Sequence, residues 1–230
     1  MRSLNACVSG LCLTLALAGC PGGGGSQNNN QNGNQNNNNV TGNVTLEGAV
    51  HKGPFLVQSS IQVSVLDGEL NPTGTVYNTE TTNDLGEFAI QFQASGAVAV
   101  EGNGYYYNEV SGGLSASTLT LRAFYVPTTT GTQNAYVNMI THLTTGRVKA
   151  LVTGGSSFED AVAQAELELM QELDITATGY SPSTAGVRMN VTGEDNDDNA
   201  YLLAVSAVLT KVAIDRGGSV EANVQAVLNE

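Results

Sequence analysis

The chain has 230 residues, with 8 Lys and Arg against 21 Asp and Glu, a formal net charge of −13. Phosphate backbones are bound by clustered basic side chains, so this balance excludes a nucleic-acid partner and disfavours adsorption to anionic headgroups. The apolar share is ordinary for a globular protein; a removable leader and a low-complexity stretch leave about 190 residues to build one or two small domains.

Arg2 precedes an apolar run from Leu11 to Ala18. The run is short of the ~20 residues that a bilayer-spanning helix needs, so it reads as the apolar centre of an export signal. Its end, Leu17-Ala18-Gly19-Cys20, resembles the bacterial lipobox. Small residues there admit the backbone to a peptidase, and the cysteine thiol forms a thioether to a diacylglycerol. The resemblance implies removal of residues 1–19 and lipidation of Cys20. Pro21 follows in place of the aspartate that retains some lipoproteins at the inner membrane. The expected address is therefore the bacterial outer membrane or cell surface. Cys7 and Cys12 fall in the leader, so the folded part has no thiol for a disulfide. It must stand on its core alone in an oxidising compartment.

Residues 21–39 read PGGGGSQNNNQNGNQNNNN. Such a segment has no apolar surface to bury and reads, within 20–42, as a disordered tether. Nineteen residues of this kind have a root-mean-square span of ~25 Å and a stretched reach of ~65 Å.

Residues 43–130 carry strand patterning. Val44, Leu46, Ala49 and Val50 open it, and Ile61, Val63 and Val65 alternate with Gln62 and Ser64. Phe88, Ile90 and Phe92 alternate in the same way. Period-2 alternation marks half-buried strands. Asp67-Gly68, Asn71-Pro72-Thr73-Gly74 and Asn83-Asp84-Leu85-Gly86 punctuate them as turns. Strands are expected over 75–82, 97–100, 105–110 and 114–126. Turn signals recur about every ten residues, as in a β-sandwich.

Gly48-Ala49-Val50, the strand at 61–66 and Thr82-Asn83-Asp84-Leu85-Gly86-Glu87-Phe88 resemble the pattern of carboxypeptidase-regulatory-like, or transthyretin-like, domains. There the glycine makes the turn and the phenylalanine enters the core. Asn83 stands where many members have aspartate. His51-Lys52-Gly53-Pro54-Phe55 and Gly104-Tyr105-Tyr106-Tyr107-Asn108-Glu109-Val110 are similar to a group of bacterial surface lipoproteins with such a β-domain followed by helices. The likeness covers about residues 44–230. It implies an architecture and an address but no activity.

Residues 131–230 read as helical. Asn138 caps a helix over 139–152 that Gly154-Gly155 stops. Ser157 and Asp160 form a capping-box pair ahead of an apolar stripe of Phe158, Val162, Ala165, Leu169 and Leu173. A loop with a short strand at 187–191 is expected over 176–193. Tyr201–Ile214 is apolar almost all round and reads as a central buried helix, and a last helix starts at Ser219.

Candidate site residues are few. Asp195, Asp197 and Asn199 have the 1, 3, 5 spacing of a calcium loop, but Ala200 and Ser206 stand where that loop needs glycine and glutamate. Helix capping by Asp197, Asp198 and Asn199 is the better reading. His51 and His142 are the only histidines and would need carboxylates from elsewhere to hold zinc. No Gly-x-Ser-x-Gly occurs. In a strand, Tyr105 and Tyr107 share one face and Tyr106 takes the other, so a tyrosine is available to a sugar or a peptide.

These features predict an α+β chain: an antiparallel, transthyretin-like (prealbumin-like) β-sandwich followed by a small helical subdomain. The expected role is a non-enzymatic binding or scaffolding module, held to the membrane by its lipid, with an envelope protein or a glycan as partner and no cofactor. The alternatives are a carbohydrate- or peptide-binding accessory domain and a hydrolase using a carboxylate pair.

Overall fold

Alternating side chains build the first half of the chain into two sheets. A computed structural model describes residues 40–229. The export signal, Cys20 and the tether read from the sequence lie outside these described residues.

The first sheet is centred on β1 (Thr41–His51), which pairs antiparallel with β4 (Glu87–Ser95) and parallel with β9 (Gly131–Asn134) and β10 (Val137–Asn138). The second has the order β3 (Pro72–Glu80), β2 (Ser60–Leu66), β5 (Val98–Gly104), β8 (Leu119–Tyr125), all antiparallel. A short hairpin of β6 (Tyr107–Asn108) and β7 (Gly113–Leu114) lies between β5 and β8 in the chain. Val44 and Leu46 from β1, Phe88, Ile90 and Phe92 from β4, Ile61 and Val63 from β2, and Leu119 and Leu121 from β8 fill one shared core. Each such side chain contributes about 1.5–3 kcal/mol through its removal from water. The turn before β4 forms as its residues require. Gly86 adopts φ +73°, and Asn83 Oδ1 accepts from the Leu85 and Glu87 amides at 3.0 and 3.3 Å.

The strand set runs past the expected boundary at residue 130. β9 and β10 add to the first sheet beside β1, and Val137, Met139 and Ile140 continue the sandwich core. The helical part is therefore packed into the same core, within one compact unit, Asn37–Glu230.

Four helices follow: α1 (Met139–Thr153), α2 (Phe158–Glu172), α3 (Asp197–Asp215) and α4 (Val220–Asn229). The Asn138 side chain accepts from the Thr141 amide at 3.0 Å, and the Thr141 hydroxyl accepts from the Asn138 amide at 2.9 Å, a closed capping box. Ser157 caps α2 by accepting from the Asp160 amide at 3.1 Å. Val148 of α1 and Ala161 and Ala165 of α2 meet Ala99 and Phe124 on the outer face of the second sheet. No helix among the described residues is long and apolar enough to cross a membrane.

Two helical-region expectations change. α3 is not buried all round: Leu203, Val208, Val212 and Ile214 are each at least 40% exposed. It packs chiefly on α4 and α1, which leaves part of its apolar circumference uncovered. The segment 187–191 forms no strand. A 3₁₀ turn spans Gly186–Arg188, because the buried Asn138 side chain donates to the carbonyls of Gly186 (2.7 Å) and Met189 (3.1 Å) and curls the backbone around itself.

Two carboxylates hold the same long loop. Asp198 accepts from the hydroxyls of Tyr180 (2.7 Å), Ser183 (2.6 Å) and Thr184 (2.9 Å). Burial would raise its pKa, but these bonds outweigh burial and hold it well below the usual range. Glu166 accepts from the Gly186 amide at 2.9 Å, and burial pushes its pKa from 4.5 up to about 7. An acid whose folded pKa is raised contributes stability that is full below its unfolded value and is lost as pH rises through the folded one. Glu166→Gln should therefore melt like the parent at pH 4.5 and become more stable than it above pH 7, by up to about 3 kcal/mol. Melting temperatures of both proteins across this pH range check the expectation.

Candidate functional site

Burial alternates without a break from Val100 to Asn108: even positions face the core and odd positions face out. β5 thus continues in direction through Tyr105 to β6. Residues 54–56 run antiparallel to this stretch. The Phe55–Tyr106 bridge sets the register, the Leu56 amide donates to Tyr105 O, and the Tyr107 amide donates to Pro54 O, each at 2.9 Å. Antiparallel partners share a face. Leu56 and Tyr105 therefore sit side by side on the outside, as do Pro54, Tyr107 and its β7 partner Leu114. Tyr105, Tyr107 and Leu114 are 48%, 45% and 64% exposed. The result is a small aromatic and aliphatic strip on three adjacent segments.

The strip is held from both sides. The Tyr107 hydroxyl donates to Gly112 O at 2.6 Å, pinning its ring along the hairpin. The Tyr105 hydroxyl has no hydrogen bond among the described residues and remains available. Tyr106 is fully buried beneath, its ring centroid 5.9 Å from that of Phe55 and 5.4 Å from the Lys52 ammonium. Of the three consecutive tyrosines, Tyr106 therefore belongs to the core and does not face a ligand. Gly53 is required by close approach: a Cβ there would lie 2.0 Å from Tyr107 O.

Beneath the strip is a buried ionic strut. Lys52 Nζ, with a fully buried side chain, donates to Glu109 Oε1 at 2.5 Å. The Ser206 hydroxyl of α3 lies 2.6 Å from the same oxygen and 2.8 Å from Lys52 O. Burial lowers the Lys52 pKa, and Glu109 opposes that shift. Burial raises that of Tyr106, and Glu221 and Glu109 raise it further. The carboxylate-pair hydrolase reading needs two acids poised in one cleft. Glu109 and Glu221 share these surroundings: Glu109 Oε1 is taken by Lys52 and Ser206 while its Oε2 is buried without a hydrogen bond, and Glu221 Oε1 accepts from the Ala116 amide at 3.0 Å.

The metal readings fare differently from the tyrosines. Asp197 is already the first residue of α3, so a twelve-residue calcium loop starting at Asp195 has no backbone to wrap an ion. Asn196 caps that helix by accepting from the Asn199 amide at 2.9 Å. The Asn199 side chain is committed to the Asn190 amide (2.7 Å) and Glu194 O (2.8 Å). His51 is buried with Nε2 3.1 Å from Leu85 O, and burial lowers its pKa to about 4, so it is neutral. His142 stands near Arg122 and Glu101. No group of three His, Cys, Asp or Glu able to hold a metal occurs among the described residues.

A second surface adjoins the strip. On the outer face of the second sheet, Asn78, Gln62, Glu101 and Arg122 form one cross-strand row, and Glu80, Ser60, Asn103 and Thr120 form the next. Asn78, Gln62 and Glu101 of the first row and Glu80, Ser60 and Asn103 of the second border an open groove of about 290 Å³. Sequence reasoning passed over this groove: its only local signal is the alternation of Gln62 with the apolar residues of β2, which marks a wet face without revealing its neighbours.

Comparison with protein-family models, with curated proteins and with solved structures finds no match for this chain.

Removing one partner of a buried ion pair leaves the other charge uncompensated. Lys52→Met should destabilise the protein by about 3 kcal/mol, and adding Glu109→Leu should restore most of the loss. Chemical denaturation of the single and double variants measures both.

Proposed function

We propose that this chain is a lipid-anchored, non-enzymatic recognition module of a bacterial envelope or cell surface, built on a transthyretin-like sandwich. The observation that carries the recognition reading is the outward tyrosine strip of Tyr105 and Tyr107 on a rigid, hydrogen-bonded underlayer. Tyrosine combines a large apolar ring with a polar tip, and a ring already held in place loses little freedom on binding. Support for the sandwich type comes from the Thr82–Phe88 segment, where Gly86 turns the chain and Phe88 enters the core. Support for the anchor is the lipobox-like Leu17–Cys20 sequence, with a glycine- and asparagine-rich spacer that frees the strip to turn toward a partner.

The two halves of the proposal are tested separately. Cys20→Ala should leave the protein unacylated and released from membranes; retention of the variant in the membrane fraction would refute the anchor. For recognition, immobilised protein is offered solubilised envelope material. Tyr105→Ala and Tyr107→Ala should each weaken capture about tenfold while melting like the parent, as expected for loss of an exposed aromatic anchor. Undiminished capture by both variants would move the binding surface elsewhere.

A further inference from the structure

We propose that the tyrosine strip and the adjoining polar rows form one continuous site for a linear, uncharged glycan laid along β5. This rests on the recognition reading and names its ligand class. The outward side chains of a single run are Glu101, Asn103, Tyr105 and Tyr107; the first two line the groove and the last two belong to the strip that follows it in the chain. From Glu101 to Tyr107 the strand spans about 20 Å, room for a chain of about four sugar rings.

The chemistry of the two ends suits a sugar polymer. Gln62, Asn78 and Asn103 carry amides, which donate and accept at once, as a row of sugar hydroxyls does. They are already ordered across the strands: Gln62 Nε2 donates to Asn78 Oδ1 at 3.4 Å, and Asn103 Nδ2 donates to Thr120 Oγ1 at 2.7 Å. The tyrosine rings offer apolar faces on which the C–H face of a pyranose stacks, and the Tyr105 hydroxyl is available to bond beside it.

Charge narrows the choice further. Arg122 is satisfied by Glu101, with Nε and Nη2 at 3.1 and 2.5 Å from Oε2. The Glu80 side chain has no hydrogen bond among the described residues and lines the groove. An anionic polymer would meet this carboxylate without a cation to offset it. An extended peptide docks by main-chain pairing along a sheet edge, whereas this site lies on the face of the sheet, along β5 beside β2 and β3. The far end is closed, because α1 and α2 cover the same outer face at Ala99 and Phe124. A glycan therefore enters from the tyrosine end and stops at the helices.

The test titrates the full chain with linear glucan, mannan and N-acetylglucosamine oligomers two to eight units long, beside an acidic uronate series. The expected result is saturable binding to at least one uncharged series, tightening up to about four units and then levelling off. Tyr105→Ala, Gln62→Ala and Asn103→Ala should each weaken it at least fivefold, and Tyr105→Phe should keep most of it. Each variant is checked for unchanged melting. Binding that ignores Gln62 and Asn103, or a preference for the uronates, overturns the glycan site. So does the absence of any oligosaccharide binding. If envelope capture through Tyr105 and Tyr107 persists in that last case, the recognition reading survives and only the glycan assignment falls. If capture is absent too, both fall.

Discussion

The buried contact of Lys52 with Glu109 is the constraint from which the candidate site of this protein follows. A lysine with no exposed side-chain surface is tolerated only with a partner, and here one carboxylate and one aromatic ring supply it. The pair joins the end of β1 to the segment after β6, and Ser206 ties both to α3. Three elements distant in the chain are thus held together at one point. Tyr106 is clamped beneath Lys52, which turns Tyr105 and Tyr107 outward. The buried ion pair adds little net stability of its own, but it fixes which side of the strand faces water.

That arrangement lets a single strand serve two purposes. The even positions of the run from Val100 to Asn108 close the sandwich core, and the odd positions supply a polar row and then an aromatic strip. A one-residue slip would exchange the two sets, placing Glu101 and Asn103 in the core. The cost of burying them unpaired protects the register. Structural stability and surface chemistry are therefore set by the same alternation.

Without any cysteine in the folded region, the long loop between α2 and α3 is secured by buried and half-buried polar groups. Asn138, Glu166 and Asp198 each reach into it from a helix or a helix cap and satisfy its backbone or hydroxyl groups. Gly186 packs so closely that a Cβ would lie 2.8 Å from Ile140. Hydrogen bonds replace covalent cross-links, and helices and sandwich share one core.

Local spacing is legible in the sequence because it expresses backbone geometry. The alternations at 61–65 and 88–92, the turn at Gly86, and the caps at Asn138 and Ser157 can be read without knowing what lies opposite them. The proposed export signal and lipidation motif are likewise read from the sequence, since a peptidase and a transferase would recognise them on the chain itself. What lies across space is not written locally. β9 and β10 are too short to show a period, and they become strands only because β1 offers them an open edge. The composition of α3 indicated burial, yet its chief neighbours α4 and α1 leave part of its circumference exposed. Nothing near Lys52 reveals that its partner stands 57 residues away, or that a serine of α3 completes the contact. Gln62 meets Asn78 and Glu101 only through pairing registers, which depend on how two loops close. Periodicity chose the elements; the pairing of distant strands and the burial of one charge decided which residues face the solvent together.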